Sequence, residues 1–294
     1  MLDARLGRIE DVEEARALAR QGTLSRAGDL FWPAVIVALG LLALTGDALA
    51  PYSSTAQDVG ARLLPPLTSS SRGFHLLGTD PLGRDLLSTM IAGTRLSLFI
   101  GATATFIGLV IGVGLGMAAG YYGGSVDRLV MRLAEAQTAM PMFLVAILFL
   151  VVLGPSVFNV IVLLPALVWP AFARLVRAET LRLRETLYVE AAIATGCTGP
   201  QILWAHILPN VAPRVAVLTV IEVGHVMLAE AGLSFLGIGV QPPDVTWGLL
   251  IARGRPYLAV AWWLVTMPGL LLGLAVLAFN MLARRFEVAS GSAA

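Results

Sequence analysis

The stretch LYVEAAIATGCTGPQILWAHILPN (Leu187–Asn210) decides how the rest of the chain is read. It is polar and broken by glycine, yet it lies between two long apolar runs, Val157–Leu175 and Val211–Leu236. Within it, Leu187–Thr195 predicts a short helix, and Gly196 ends that helix as glycine commonly does at a helix C-terminus. Thr198-Gly199-Pro200 predicts the start of a second helix, with proline near its first position. That helix is expected to run to Ile207-Leu208, where Pro209 should stop it. Physical chemistry alone admits two roles for such a helix–Gly–helix elbow. It is a rigid lever thrust from a membrane, with small Ala191 and Ala192 for close approach and Glu190 as a charged handle, or an inert surface loop.

Outward from the elbow the sequence is dominated by apolar runs. The chain has 294 residues, of which 57% are hydrophobic and only 13% charged. Soluble domains carry about a quarter charged residues. A soluble fold of this length could not hide so much apolar surface, so the excess must meet lipid. A bilayer core about 30 Å thick needs about 20 mostly apolar residues per helix. Six segments approach that: Leu30–Ala50, Leu96–Tyr121, Leu133–Leu153, Val157–Leu175, Val211–Leu236 and Leu258–Leu282. The third carries Glu135 and Gln137 in its first turns, and its clean part begins near Pro141. The expected class is therefore an all-α membrane protein with six transmembrane helices.

The basic residues give an orientation. All 20 are arginine, since the sequence contains no lysine. With the N-terminus inside, Arg62, Arg72, Arg84, Arg95, Arg253 and Arg255 fall on outer segments, and the other 14 fall on inner ones. Basic residues prefer the cytoplasmic side, so both termini are expected there. The resulting organisation is a tail over 1–29, a first span over 30–50, an outer loop over 51–95, a five-helix core over 96–284 containing the inner segment 177–210, and a second tail over 285–294. Residues 2–20 read either as an amphipathic helix or as a solvated tail. Ala48-Leu49-Ala50 resembles a signal-peptide cleavage site, but Glu10, Asp11, Glu13 and Glu14 contradict the short basic start of a signal, so the first span is expected to stay.

Composition also excludes chemistries. Without lysine there is no P-loop and no Schiff base. Cys197 is the sole cysteine, which excludes an intrachain disulfide or a Cys-x-x-Cys site. A net charge of +1 offers nothing to nucleic acid. His75, His206 and His225 are scattered, so no metal-ligand or catalytic arrangement is expected, and His75 reads as loop decoration.

Two spans hold informative residues. Gly108, Gly112, Gly116 and Gly120 recur every four residues and predict one close-packed helix face. Glu222, His225 and Glu230 lie in the fifth span, where ionisable groups are costly and should face protein or water. They read as the lining of a translocation path or a proton relay, or else as an interhelix clamp, with Glu230 near the outer interface. In the outer loop, Gly78-Thr79-Asp80-Pro81-Leu82-Gly83-Arg84-Asp85 predicts tight turns at the glycines, with Asp80 and Asp85 capping backbone N–H groups or pairing with Arg84.

Several strings resemble one family. Glu190-Ala191-Ala192, then Gly196 and Leu208-Pro209, resembles the EAA motif E-A-A-x3-G-x9-I-x-L-P of binding-protein-dependent ABC importer permeases, with His206 at the Ile position. LGTDPLGRD (Leu77–Asp85), GYYGG (Gly120–Gly124), AEAGLSFLGIG (Ala229–Gly239), VQPP (Val240–Pro243), Trp247-Gly248 and Ala278-Phe279-Asn280 resemble the C-type permease of dipeptide, oligopeptide and nickel importers. Two departures are Met140-Pro141-Met142 for the usual Phe-Pro-Ser, and the residues after Asn280.

The resemblance implies a type I importer permease fold in a bacterial inner membrane. It implies that the elbow is a coupling helix set in a groove of a cytoplasmic ATPase, with Glu190 meeting a basic residue and Ala191, Ala192 and Gly196 allowing close packing. His206, Leu208 and Pro209 complete that motif. It implies that the Gly78–Asp85 loop faces an extracytoplasmic substrate-binding protein, and that a second homologous permease and two ATPases complete the complex. ATP and magnesium would sit on those ATPases, leaving this chain without a cofactor or a catalytic residue. An ion-coupled secondary transporter using Glu222, His225 and Glu230 is the alternative reading.

Overall fold

A computed structural model describes residues 30–46 and 48–291 of the chain. The expectations for the N-terminal tail, including residues 2–20, lie outside the described residues. Four helices are long and apolar enough to cross a membrane, five when one sharply bent pair counts as a single span, and a shorter apolar helix, α1 (Leu30–Gly46), precedes them.

The outer loop is not wholly irregular. It contains a two-stranded antiparallel hairpin, β1 (Thr68–Ser70) and β2 (Gly73–His75), pairing Thr68 with His75 and Ser70 with Gly73. The next helix, α2 (Leu86–Tyr122), begins ten residues before the expected start at Leu96. Ser88, Thr89 and Thr94 made that stretch look too polar. Thr89 and Thr94 return their hydroxyls to carbonyls of their own helix, at 2.9–3.0 Å, so both are buried without cost. At about 1.5 Å per residue, its 37 residues reach about 55 Å, well beyond a bilayer core.

The third run is broken. α3 (Gly124–Ala139) and α4 (Met142–Leu153) meet at 86°. Pro141 has no N–H to continue the ladder, and Met140 before it adopts the extended backbone that a following proline favours. α5 (Val157–Leu163) and α6 (Pro165–Arg184) form the next span, which runs nine residues past the expected Leu175.

The glycine stripe of α2 lies on α6. A Cβ at Gly112 would meet Trp169 O and Phe172 Cβ at 2.5 Å, one at Gly116 would meet Ala173 O at 2.6 Å, and one at Gly120 would meet Thr180 Cβ at 2.7 Å. Gly108 is equally blocked, by Val168. Two backbones approach here, and buried Val113, Val168, Phe172 and Val176 fill the seam.

Beyond α6 come α7 (Leu187–Ala194), α8 (Gly199–Ile202) and α9 (Leu208–Phe235). Pro209 does not end the helix that starts at Gly199. A π turn over Leu203–Ile207 intervenes, in which Leu208 N–H donates to Leu203 O, five residues back. The wider turn makes room for the proline ring, and the helix runs unbroken over Gly199–Phe235. α10 (Trp247–Gly254) and α11 (Trp263–Gly291) follow. α11 starts five residues after the expected Leu258. Fully buried Trp247 locks α10 to α2, donating from Nε1 to Met90 O at 3.1 Å, while its N–H donates to Ser97 Oγ at 3.0 Å.

Candidate functional site: the elbow, the outer loop and the polar residues of α9

The elbow projects from a braced base. Arg184, the last residue of α6, donates from Nη1 to Gly120 O and Tyr121 O. Glu179 is buried and accepts from Arg182 on its own helix at 3.1 Å and from Arg214 on α9. Arg177 pairs with Asp127 of α3. These charges at the ends of apolar runs were not singled out in the sequence. Their one legible sign is that Glu179 and Asp127 are acids among basic residues.

On that base, α7 buries Val189 and Ala192 and turns Glu190, Ala191, Leu187 and Ile193 outward. Leu187 is 83% exposed and Trp204, beyond the turn, 68%. The outward surface is thus one acid set among large apolar side chains. Gly196 takes φ +86°, a left-handed conformation that suits glycine and lets Cys197 N–H reach Ala192 O at 3.0 Å. Thr198 and Gln201 form a capping box at the head of α8. His206 and Leu208 are half-buried, and Pro209 is exposed.

The other functional loop lies at the opposite end of α2. Its residues largely face inward. Asp80 accepts from Leu82 N–H and Arg84 N–H, at 2.8 and 2.9 Å, and from both Nε and Nη2 of Arg84. Buried Thr79 accepts from Leu64 N–H and donates to Ala61 O. Gly78 and Gly83 have φ +80° and +72°, and a side chain on either would strike the backbone of Leu64 or Asp58. Asp85 caps α2, accepting from Ser88 N–H at 2.8 Å. His75 is not decoration. It is buried, with Nδ1 2.9 Å from Asp85 and Nε2 3.0 Å from Ser70. Exposed Leu76 and Leu82 form part of the loop's outer surface.

On α9, Glu222 and His225 come together at 3.4 Å, with the His225 side chain 58% exposed. Glu230 stands apart from them. It is buried and accepts from Ser234 at 2.7 Å and from Thr246 at 2.9 Å, clamping α9 to the head of α10.

Residues 112–289 match the family model described as "Binding-protein-dependent transport system inner membrane component". The chain is 40% identical over 247 residues to a putative peptide transport system permease protein of Brucella suis biovar 1, covering 82% of this chain and 81% of that one. It is 37% identical to the di/tripeptide transport system permease protein DppC of Pseudomonas aeruginosa, covering 82% and 80%. It is 38% identical to the glutathione transport system permease protein GsiD of Pectobacterium atrosepticum, covering 84% and 83%. In fold it is similar to a chain of the inward-facing MetNI methionine ABC transporter, at TM-score 0.56 and 21% identity, covering 68% of this chain and 95% of that one. The chain belongs to the binding-protein-dependent transport system inner membrane components: it is a multi-pass permease subunit of an ABC importer.

Proposed function

We propose that this chain forms half of a translocation path for di- or oligopeptides in a bacterial inner membrane, with both termini cytoplasmic. A second, homologous permease supplies the other half, two ATPases dock from the cytoplasm, and an extracytoplasmic binding protein delivers the cargo. Several relatives carry names of peptide transport systems, which supports the cargo class. ATP and magnesium reside on the ATPases.

The observation that carries the reading is the outward surface of α7, where exposed Glu190 and Ala191 stand among exposed Leu187, Ile193 and Trp204 on a base pinned to α2 and α9. An acid ringed by apolar side chains suits a partner groove with a basic residue at its floor. Each α7 moves with its ATPase, and the braced base passes the motion to α6 and α9, so that the path between the two permeases opens alternately to the two sides. The test is uptake and stimulated ATP hydrolysis in a reconstituted complex carrying Glu190→Arg. Loss of both, with wild-type behaviour of an Arg95→Gln control at an exposed arginine, is expected. Uptake by this chain alone, driven by a proton gradient and indifferent to ATP, would overturn the reading.

A further inference from the structure

The outer face carries six arginines, and most have a fixed local role. Arg62 donates to Pro81 O at 2.6 Å, Arg72 faces Asp58 at 3.5 Å, Arg84 is bound by Asp80, and Arg255 lies 5.1 Å from the centre of the Phe235 ring. Arg95 is exposed to water. Arg253 differs from all of these. It is half-buried in the last turn of α10, and among the described residues it has no hydrogen-bond or ion-pair partner. The C-terminus of a helix offers it only a fraction of a negative charge.

Arg253 borders a cavity of about 400 Å³, lined also by Asp80, Arg84, Leu86, Leu250 and Tyr257. Asp80 cannot serve it. Both carboxylate oxygens are already taken, by two backbone N–H groups and the Arg84 guanidinium. The cavity therefore holds two guanidiniums against one spent carboxylate. Burial, and then the neighbouring Arg84 charge, pull Arg253 below the usual arginine range, with Asp80 opposing. The group nevertheless stays charged, as arginine does in proteins. A half-buried cation whose nearest carboxylate is already bound by another guanidinium is a standing electrostatic deficit, which an incoming anion removes.

The shape narrows the anion. A planar guanidinium fork matches a carboxylate. The leucine and tyrosine walls suit the methylenes behind that carboxylate. The walls come mainly from the outer loop, α10 and the turn after it, not from the lipid-facing flanks of the spans. Exposed Leu82 lies on its rim, on the same face as the Gly78–Asp85 loop. We propose that this cavity is a socket for one acidic side chain, of glutamate type, presented by the extracytoplasmic binding protein. The inference rests on the reading of this chain as a permease served by such a protein.

The test uses the whole permease–ATPase complex in nanodiscs, titrated with the purified binding protein that supports its uptake. Arg253→Glu is expected to weaken docking by about tenfold or more, and Arg253→Lys, which keeps the charge but loses the fork, by only a few fold. Docking to the wild type should weaken with salt more steeply than docking to Arg253→Ala. One Glu→Arg exchange on the binding protein should restore docking to Arg253→Glu and to no other variant. Each variant is checked for intact assembly by size-exclusion chromatography. Unchanged docking of Arg253→Glu overturns the proposal, as does a loss that no charge exchange on the binding protein repairs. Normal docking with a raised half-saturating peptide concentration also overturns it, and assigns the socket to the cargo carboxylate. If the wild-type complex docks no binding protein in any nucleotide state, the underlying reading falls along with the socket.

Discussion

Arg184 Nη1 donates to Gly120 O at 3.3 Å and to Tyr121 O at 3.2 Å, fastening the end of α6 to the end of α2 beneath the exposed elbow. Charge-assisted bonds to backbone carbonyls each contribute about 1 kcal/mol or more. Arg184→Ala should therefore raise amide hydrogen exchange across α7 and α8 by about five- to thirty-fold, the factor that 1–2 kcal/mol of local opening yields. Exchange–mass spectrometry on the detergent-solubilised complex reads this directly, with the centre of α2 as an internal reference that should not change.

The glycine stripe predicts a sharp contrast between neighbours. Gly116→Leu must displace Ala173 O, 2.6 Å from where its Cβ would lie, whereas Gly114 has nothing within 4 Å. Overpacking a tight core costs about 1–3 kcal/mol, and the upper end applies where backbone is struck. Thermal unfolding in detergent should show Gly116→Leu several degrees below wild type and Gly114→Ala within about a degree. Equal melting of the two would mean that α2 and α6 are not in close contact.

Glu179 joins α6 to α9 through Arg214 and also accepts from Arg182 on its own helix. Glu179→Ala leaves Arg214 and Arg182 without their acceptor. Both arginines are more than half exposed, so solvent softens the loss to about 1–2 kcal/mol. The expected readout is a lower melting temperature together with transport impaired more than ATPase docking, because the bond joins α6 to α9 behind the proposed docking surface. A pull-down that loses the ATPase while stability is intact would place Glu179 at the interface itself.

Asp85 ends the outer loop and begins α2 at once. Removing the cap should cost about 0.5–2 kcal/mol. It also leaves His75 with Ser70 as its one remaining side-chain partner. Asp85→Ala should therefore expose the loop to limited proteolysis between Pro51 and Leu86, while Asp85→Asn, which can still accept from Ser88 N–H, should protect it better.

The elbow was legible because its signals are local. A glycine that ends one helix in a left-handed turn and a proline near the first position of the next each act within a few residues. What escaped the sequence depends on how the surrounding chain folds. The early start of α2 requires hydroxyls to find their own helix carbonyls. His75 needs Asp85, ten residues on, to become structural. Pro209 reads as a stop until the π turn before it widens. In the outer loop the turns at Gly78 and Gly83 and the capping by Asp80 and Asp85 were legible as well, because each acts within a few residues. The unpaired state of Arg253 is a property of the assembled cavity and leaves no trace in one dimension.

The π turn before Pro209 has a geometric consequence. Because the chain does not break there, Gly199–Phe235 is one rod of 37 residues, about 55 Å long. Its continuous hydrogen-bonded backbone carries a displacement from one end toward the other. A tilt of about 5° at its foot swings the opposite tip by about 5 Å, roughly the spacing of one helical turn.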